Sequence, residues 1–445
     1  MTAVANPPAP DVVPAASRGR RLSLRVTGTP RKLRVVLVGL VLLCLAWGAV
    51  AAWVVSQRAS GANDVVGVSE PLSLDGQQIY RALSDADATE ATAFLAGGLE
   101  PLAARQHYLG DITQASLRLE SATAAAGQSP AAARNLAKLS AGLPAYAGEV
   151  ETARADNRLG YPLGAAYLRE ASGLMRDTLL PAARHVSAQA DGQLLAASGK
   201  ATGLPLALIL LVIAAVVGYT LYRAQRWLYR HTHRVFNPGL IVASVAGIVS
   251  VLWLVIALGV ARADLLHARA QGSAPVAALA QADIAALRAH ADESLTLIDA
   301  GGDDSFQSDF LAVQHKLGPG PGTLLTSAVN AAQGSPGAGD AAAAASTATA
   351  WYNAHRTVRL LDDNGKHIQA VRLVTTPGAD HSGTLFTRLD SSLTRAIAAD
   401  QAVFQANAVA GRNVLTGLEI GVIVLALIMA AGCARGLSKR LAEYR

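Results

Sequence analysis

Two apolar runs at the centre of the chain constrain its fold more than any other feature. GLPLALILLVIAAVVGYTLY and GLIVASVAGIVSVLWLVIALGVA flank a short basic loop, RAQRWLYRHTHR (223–234). A helix crossing the ~30 Å hydrocarbon core needs about 20 mostly apolar residues. Four stretches meet that need: 35–55, 204–222, 239–261 and 415–433. The chain therefore reads as an all-α membrane protein with four transmembrane helices. The first run follows Arg31, Lys32 and Arg34 like a signal peptide. It is longer than a usual signal core and lacks a small-residue exit, which favours an uncleaved anchor.

Orientation follows from where lysine and arginine collect. The tail 1–34 holds Arg18, Arg20, Arg21, Arg25, Arg31, Lys32 and Arg34, the loop 223–238 holds Arg223, Arg226, Arg230 and Arg234, and the end 434–445 holds Arg435, Lys439, Arg440 and Arg445. These segments are expected in the cytoplasm, both termini included. The long segments 56–203 and 262–414 carry more acids than bases and are expected outside. The formal charge of +6 then reflects topology, and nucleic acid is not an expected partner. Cys44 and Cys433 both fall inside spans, so the external segments hold no disulfide and the thiols read as packing residues.

The tail 1–34, proline- and alanine-rich and then basic, is expected to be disordered and to lie near anionic headgroups. Gly61, Gly67 and Pro71 suggest a short linker after the first span. A helix from Leu74 then places Ile79, Leu83 and Ala86 on one face and closes before Gly97–Gly98. A second shows heptad spacing at Leu102, Leu109, Ile112, Ser116, Leu119 and Thr123. A third carries Leu136, Leu139, Leu143, Tyr146, Val150 and Ala153 at spacings of three and four. After a turn at 157–164 comes a fourth, with Tyr167, Ala171, Leu174 and Thr178, that Pro181 should kink. Four such helices make an up-down-up-down bundle roughly 40–50 Å tall, with the turns at 97–101 and 157–164 at its far tip.

The external segment 262–414 repeats the plan. A shift of 204 residues sets ALSDADATEATAFLAGG (82–98) against ALRAHADESLTLIDAGG (286–302) and Val35 against Gly239, which points to an internal duplication. The glycine-rich segments 318–322 and 333–346 read as flexible insertions, and the stripe Phe386, Leu389, Leu393, Ala396, Val403 runs on toward the fourth span as one helix. Gly199, Gly203 and Pro205 instead break the join to the second span.

No nucleophile–base pair, phosphate-cradling loop or cysteine cluster is present, so the expectation is a protein that is not an enzyme and uses no cofactor or metal. His231 and His233 sit in a basic loop that repels cations, and His185 and His290 read as bundle residues. Glu419 is an intramembrane acid about one turn inside the boundary, within Gly417-Leu-Glu-Ile-Gly421. The segment 153–172 gathers Arg154, Asn157, Arg158, Tyr161, Tyr167 and Arg169 around the tip turn. Arginine and tyrosine are enriched at binding hot spots, so these six are candidate partner or ligand contacts.

The plan, with LSDADATEATAFLAGG, ARADNRLGYPLGAAYLREASGLMRDTLLPAA, HADESLTLI and the basic end Glu443-Tyr444-Arg445, resembles the four-span membrane protein of actinobacterial glutamate-sensing systems, the GlnX type. The resemblance covers 33–445, and the external modules are also similar to the four-helix modules of chemoreceptors. It implies a signal-relay protein that couples an extracytoplasmic solute-binding lipoprotein, through amino-acid sensing, to a cytoplasmic serine/threonine kinase reached directly or indirectly. It carries over no ligand-binding residue. The expected partners are thus the lipid bilayer, that lipoprotein, that kinase and a second copy of the chain. A transporter, or a subunit of one, and a structural envelope protein are the alternatives.

Overall fold

The computed structural model describes residues 29–126, 130–202, 204–232, 237–299 and 304–442. Every regular element among them is helical, and four helical stretches are long and apolar enough to cross a membrane. The tail 1–28, Gly203, residues 233–236, the glycine pair 301–302 and the end 443–445 lie outside the described residues.

The first span and the first bundle helix form one rod. Helix α1 (Thr29–Asp64) passes through a π-turn, Val65–Ser69, directly into α2 (Glu70–Ala96). The linker expected at Gly61, Gly67 and Pro71 is therefore helical. Pro71 explains how. Proline has no N–H to donate and its ring crowds the carbonyl four residues back, so a regular turn fails there. Widening the preceding turn, with the Glu70 N–H bonded to the Val65 carbonyl five residues back, keeps the rod intact. From the end of the span to Ala96 the rod rises ~60 Å at 1.5 Å per residue, taller than expected because no residue is lost to a linker.

Helices α3 (Leu102–Ala125), α4 (Pro130–Arg158), α5 (Leu163–Leu174) and α6 (Leu180–Thr202) complete the first module. A second π-turn, Met175–Leu179, joins α5 to α6 ahead of Pro181, so that proline is absorbed within a continuous helix. Gly97 and Gly98 adopt φ of 71° and 66°, a region costly for any residue with a Cβ, and stop α2. The chain turns at 97–101 and 159–162 at one end: the Asn157 side-chain amide donates to the Phe94 carbonyl over 3.1 Å.

The buried stripe of α4, from Leu136 to Ala153, is the one the spacing predicts. That of α3 is not. Tyr108, Asp111, Ala115, Leu119 and Ala122 are buried, whereas Leu102 is 69% exposed and Leu109 46%. The heptad reading followed the leucines, and of Leu102, Leu109 and Leu119 only Leu119 is buried, beside Tyr108, Asp111, Ala115 and Ala122.

Helix α7 (Leu204–Thr232) is the second apolar segment. Helix α8 (Pro238–Ala268) is the third, and through a π-turn at Arg269–Ser273, just before Pro275, it continues into α9 (Ala274–Asp299). This π-turn lies 204 residues after the first, the shift noted in the sequence. The second module adds α10 (Ser305–Leu317), α11 (Leu324–Ala331), α12 (Ala338–Asp363), α13 (His367–Thr375) and α14 (Ser382–Leu415).

The expected insertions are ordered parts of this module. The segment 338–346 is the first turns of α12, with Ala341 and Ala344 in the core. Buried Asp400 of α14 fixes the turn before it, accepting from the Ser335 hydroxyl (2.9 Å) and the Gly337 N–H (2.8 Å).

The fourth span is not continuous with α14. Thr416 is extended, Gly417 sits at φ 81°, and α15 (Leu418–Ala442) starts anew. Gly411 lies within α14, where a Cβ would stand 3.1 Å from the Ala261 carbonyl oxygen. Glu419 falls in the first turn of α15, exposed, where a carboxylate is favoured by the unpaired N–H groups.

Among the apolar helices, α15 packs against both α1 and α8, and α7 lies more loosely beside α1 and α8. Small residues permit the close approach. A Cβ on Gly239 would lie 2.5 Å from the Gly432 carbonyl, and one on Gly48 would lie 2.4 Å from the Ala426 methyl. Trp47 donates to the Ser250 hydroxyl over 3.2 Å, and Cys44 Sγ lies 4.0 Å from Cys433 Sγ. Val38, Leu42, Ile248, Leu252, Ile256 and Leu427 face outward, an apolar belt far too extensive for water and suited to lipid.

The cysteine pair gives a direct check. Mild oxidation of native membranes should link Cys44 to Cys433, seen as a shifted fragment pattern after proteolysis between the modules. Gly48→Leu should cut the yield several-fold by forcing α1 from α15.

Candidate functional site at the tip and the inter-module seam

Helices α2 and α9, each the upward continuation of an apolar helix, lie against one another along their length. Arginine comes from the first module and aspartate from the second. Arg81 bonds Asp283 on α9 and Asp390 on α14, both at 2.7 Å. Arg176 contacts Asp292 at 2.6 Å, and Arg169 pairs with Asp299. The Thr92 hydroxyl meets Ser294 Oγ at 2.9 Å and His290 Nε2 at 3.2 Å. Near the tip Ala91, Ala153 and Leu168 pack with Leu295, while Tyr167 and Phe94 meet Ile298 and Phe306. Short α13, which the sequence did not reveal, closes against Leu95 through Val374 and Ala370.

The six tip residues separate accordingly. Arg154 is buried, 5% exposed. Its guanidinium pairs with Glu90, with Glu100 at 3.0 Å and with Glu151 at 2.6 Å, and lies 4.3 Å over the Tyr108 ring. Tyr167 and Arg169 face the second module. Asn157 caps α2 as described. Only Arg158 and Tyr161 are exposed, Tyr161 by 57%.

Arg154, Asn157 and Arg158 do converge on one cleft, of about 160 Å³, together with Glu90, Glu100 and Arg105. Its walls carry both signs of charge around the apolar Phe94 and Leu99. Such a cleft suits a small polar molecule or the projecting side chain of a protein partner. Glu90, Glu100 and Arg105 were missed in the sequence because they come from α2, the 97–101 turn and α3, which only folding brings to Arg154.

The second module has its own buried polar centre. Glu293 accepts from Ser382 Oγ at 2.7 and 2.8 Å and from His355 Nδ1 at 2.9 Å, and His290 Nδ1 stands 3.5 Å away. Burial opposes the charge, but the adjacent His290 and His355 imidazoles outweigh it and hold Glu293 at about 2. His290 stacks on Phe386 at 3.9 Å and Trp351 donates to Ser382, so the network is locked within aromatic packing. Glu293, His355 and Ser382 are each 2% exposed or less.

These features define a helical protein with four helices long and apolar enough to cross a membrane and two clasped modules. Residues 61–198 match the family model described as an actinobacterial sensor domain. The match runs from the end of α1 to near the end of α6 and so covers the first module. The first module is thus similar to an actinobacterial sensor domain, a likeness that supports a sensing or signalling role. No curated protein and no solved structure matches it.

Two expectations follow from the buried charges. Arg154→Ala would strand Glu90 in the core and should cost about 3–5 kcal/mol of stability by denaturant unfolding, partly recovered by adding Glu90→Leu. Burial pushes Glu90 up to about 7 against the pull of Arg154, and Asp292 up to about 7 against Arg176. A carboxyl group raised above its ordinary value of about 4 is most favourable when protonated, so each contributes stability at low pH that is lost as pH rises through about 7. Unfolding midpoints in detergent should fall between pH 5 and pH 8, by up to about 1.4 kcal/mol per pH unit for each group, and Glu90→Gln with Asp292→Asn should flatten the profile.

Proposed function

We propose that this chain is a signal-relay protein, with both termini and the basic loop in the cytoplasm and both modules outside. An extracytoplasmic solute-binding lipoprotein docks at the tip around Arg158 and Tyr161 and reports an amino acid. The output passes to a cytoplasmic serine/threonine kinase, directly or through another protein. The observation that carries this reading is mechanical: α1–α2 and α8–α9 each run unbroken from an apolar span, the first into the sensor-like module and the second into its neighbour. A shift of 1–2 Å at the seam would thus reach the cytoplasmic side along two rods. The sensor-domain match supports the sensing role, the arginine-rich short segments support the orientation, and the family resemblance alone supports the lipoprotein, the amino acid and the kinase.

We read the two halves as products of an internal duplication. Its support is the pair of π-turns 204 residues apart, each leading to a proline, Pro71 or Pro275. Arg58 and Arg262 stand at the same spacing.

A photo-crosslinking residue at Tyr161 in living cells should trap a solute-binding lipoprotein, identified by mass spectrometry. Deletion of the chain should abolish the kinase-dependent response to the amino acid. No such adduct, together with an unchanged response in the deletion strain, would refute the reading.

A further inference from the structure

A cluster on the solvent side of the seam has the make-up of a metal site. Asp85 projects from α2. His107 and Asp111 stand one turn apart on α3, facing it. His107 Nε2 lies 3.2 Å from Asp85 Oδ2 and 3.5 Å from Asp111 Oδ2, and one donor atom from each residue lies within 4.8 Å of the others. Ligand atoms on a tetrahedron with ~2.1 Å arms stand ~3.4 Å apart, so little movement is needed to admit an ion.

A second observation separates this cluster from a set of surface acids. The Asp111 side chain is only 10% exposed, and its Oδ2, the oxygen turned toward His107 Nε2, has no hydrogen-bond partner. A buried carboxylate oxygen without a donor is costly, and a cation satisfies it. The His107 side chain is 55% exposed and leaves a path for an ion and its remaining water ligands.

The local charge balance agrees. Arg81 stands 3.9 Å from Asp85, but its other nitrogens are engaged by Asp283 and Asp390. Four carboxylates thus face one guanidinium and one imidazole. A dication bound through neutral His107 would offset much of the excess.

We propose that Asp85, His107 and Asp111 bind a divalent transition-metal ion of the zinc class. One imidazole with two carboxylates is a mixed nitrogen–oxygen donor set; calcium and magnesium favour all-oxygen shells, and no thiolate is present to select copper(I). Because Asp85 also neighbours Arg81, the ion sits one residue from the clasp between the modules. The proposal is independent of what docks at the tip.

The test uses the full chain in lipid nanodiscs, stripped with chelator and titrated with Co²⁺ while the visible ligand-field bands are followed. One equivalent should bind, and Zn²⁺ should bleach the bands. His107→Gln and Asp111→Asn should each weaken binding by about 100-fold or more while keeping the far-ultraviolet circular dichroism of the parent. Zn²⁺ should raise the unfolding midpoint of the parent and leave that of His107→Gln unmoved. Failure of the parent to take up either ion, or retention of the parental bands by both variants, would overturn the proposal.

Discussion

The contact on which the rest of the architecture depends is the one between α2 and α9. Each is the first helix of its module, and each continues an apolar helix without a break. Once Arg81 reaches across to Asp283 and Asp390, the two modules and the two rods below them are fixed relative to one another. The remaining helices of each module pack on the outer faces of this central pair. That explains why α2 buries so many polar residues. Asp75, Asp85, Asp87 and Glu90 have protein on several sides, and each reaches a cation or a hydroxyl.

Buried charge pairs of this kind contribute less to stability than their number suggests. Desolvation of two ions offsets much of their attraction, whereas losing one partner is expensive. Their effect here is to define one relative placement of the modules, since a slip along the seam would leave Arg81, Arg176 or Asp292 buried and alone. A signal that shifts this seam has to exchange one set of pairings for another, and packed interfaces of that type favour discrete states.

Proline governs how movement is transmitted. At Pro71, Pro181 and Pro275 the chain answers a missing donor with a π-turn and keeps its helix. At Gly417 it does the opposite, and the helix restarts at the edge of the fourth span. Among the described residues there are thus two stiff connections, through α1 and α8, and a jointed one ahead of α15. Because α15 packs against both α1 and α8, the jointed helix is placed to follow whatever the stiff ones do.

The sequence alone determined the helical class, the four apolar spans and the buried stripe of α4, because hydropathy and three-to-four spacing depend on neighbours along the chain. It placed the tip turns for the same reason: glycine at positive φ is a local requirement. It could not determine that Arg154 would lie buried among three glutamates, that Tyr167 and Arg169 would face a second module, or that the 338–346 alanines would be core. Those outcomes depend on what stands opposite each residue, as does the meeting of His107 with Asp85. Even the π-turns, marked in sequence by proline, needed the tertiary structure, because the same proline ends a helix unless packing on both sides holds the rod together.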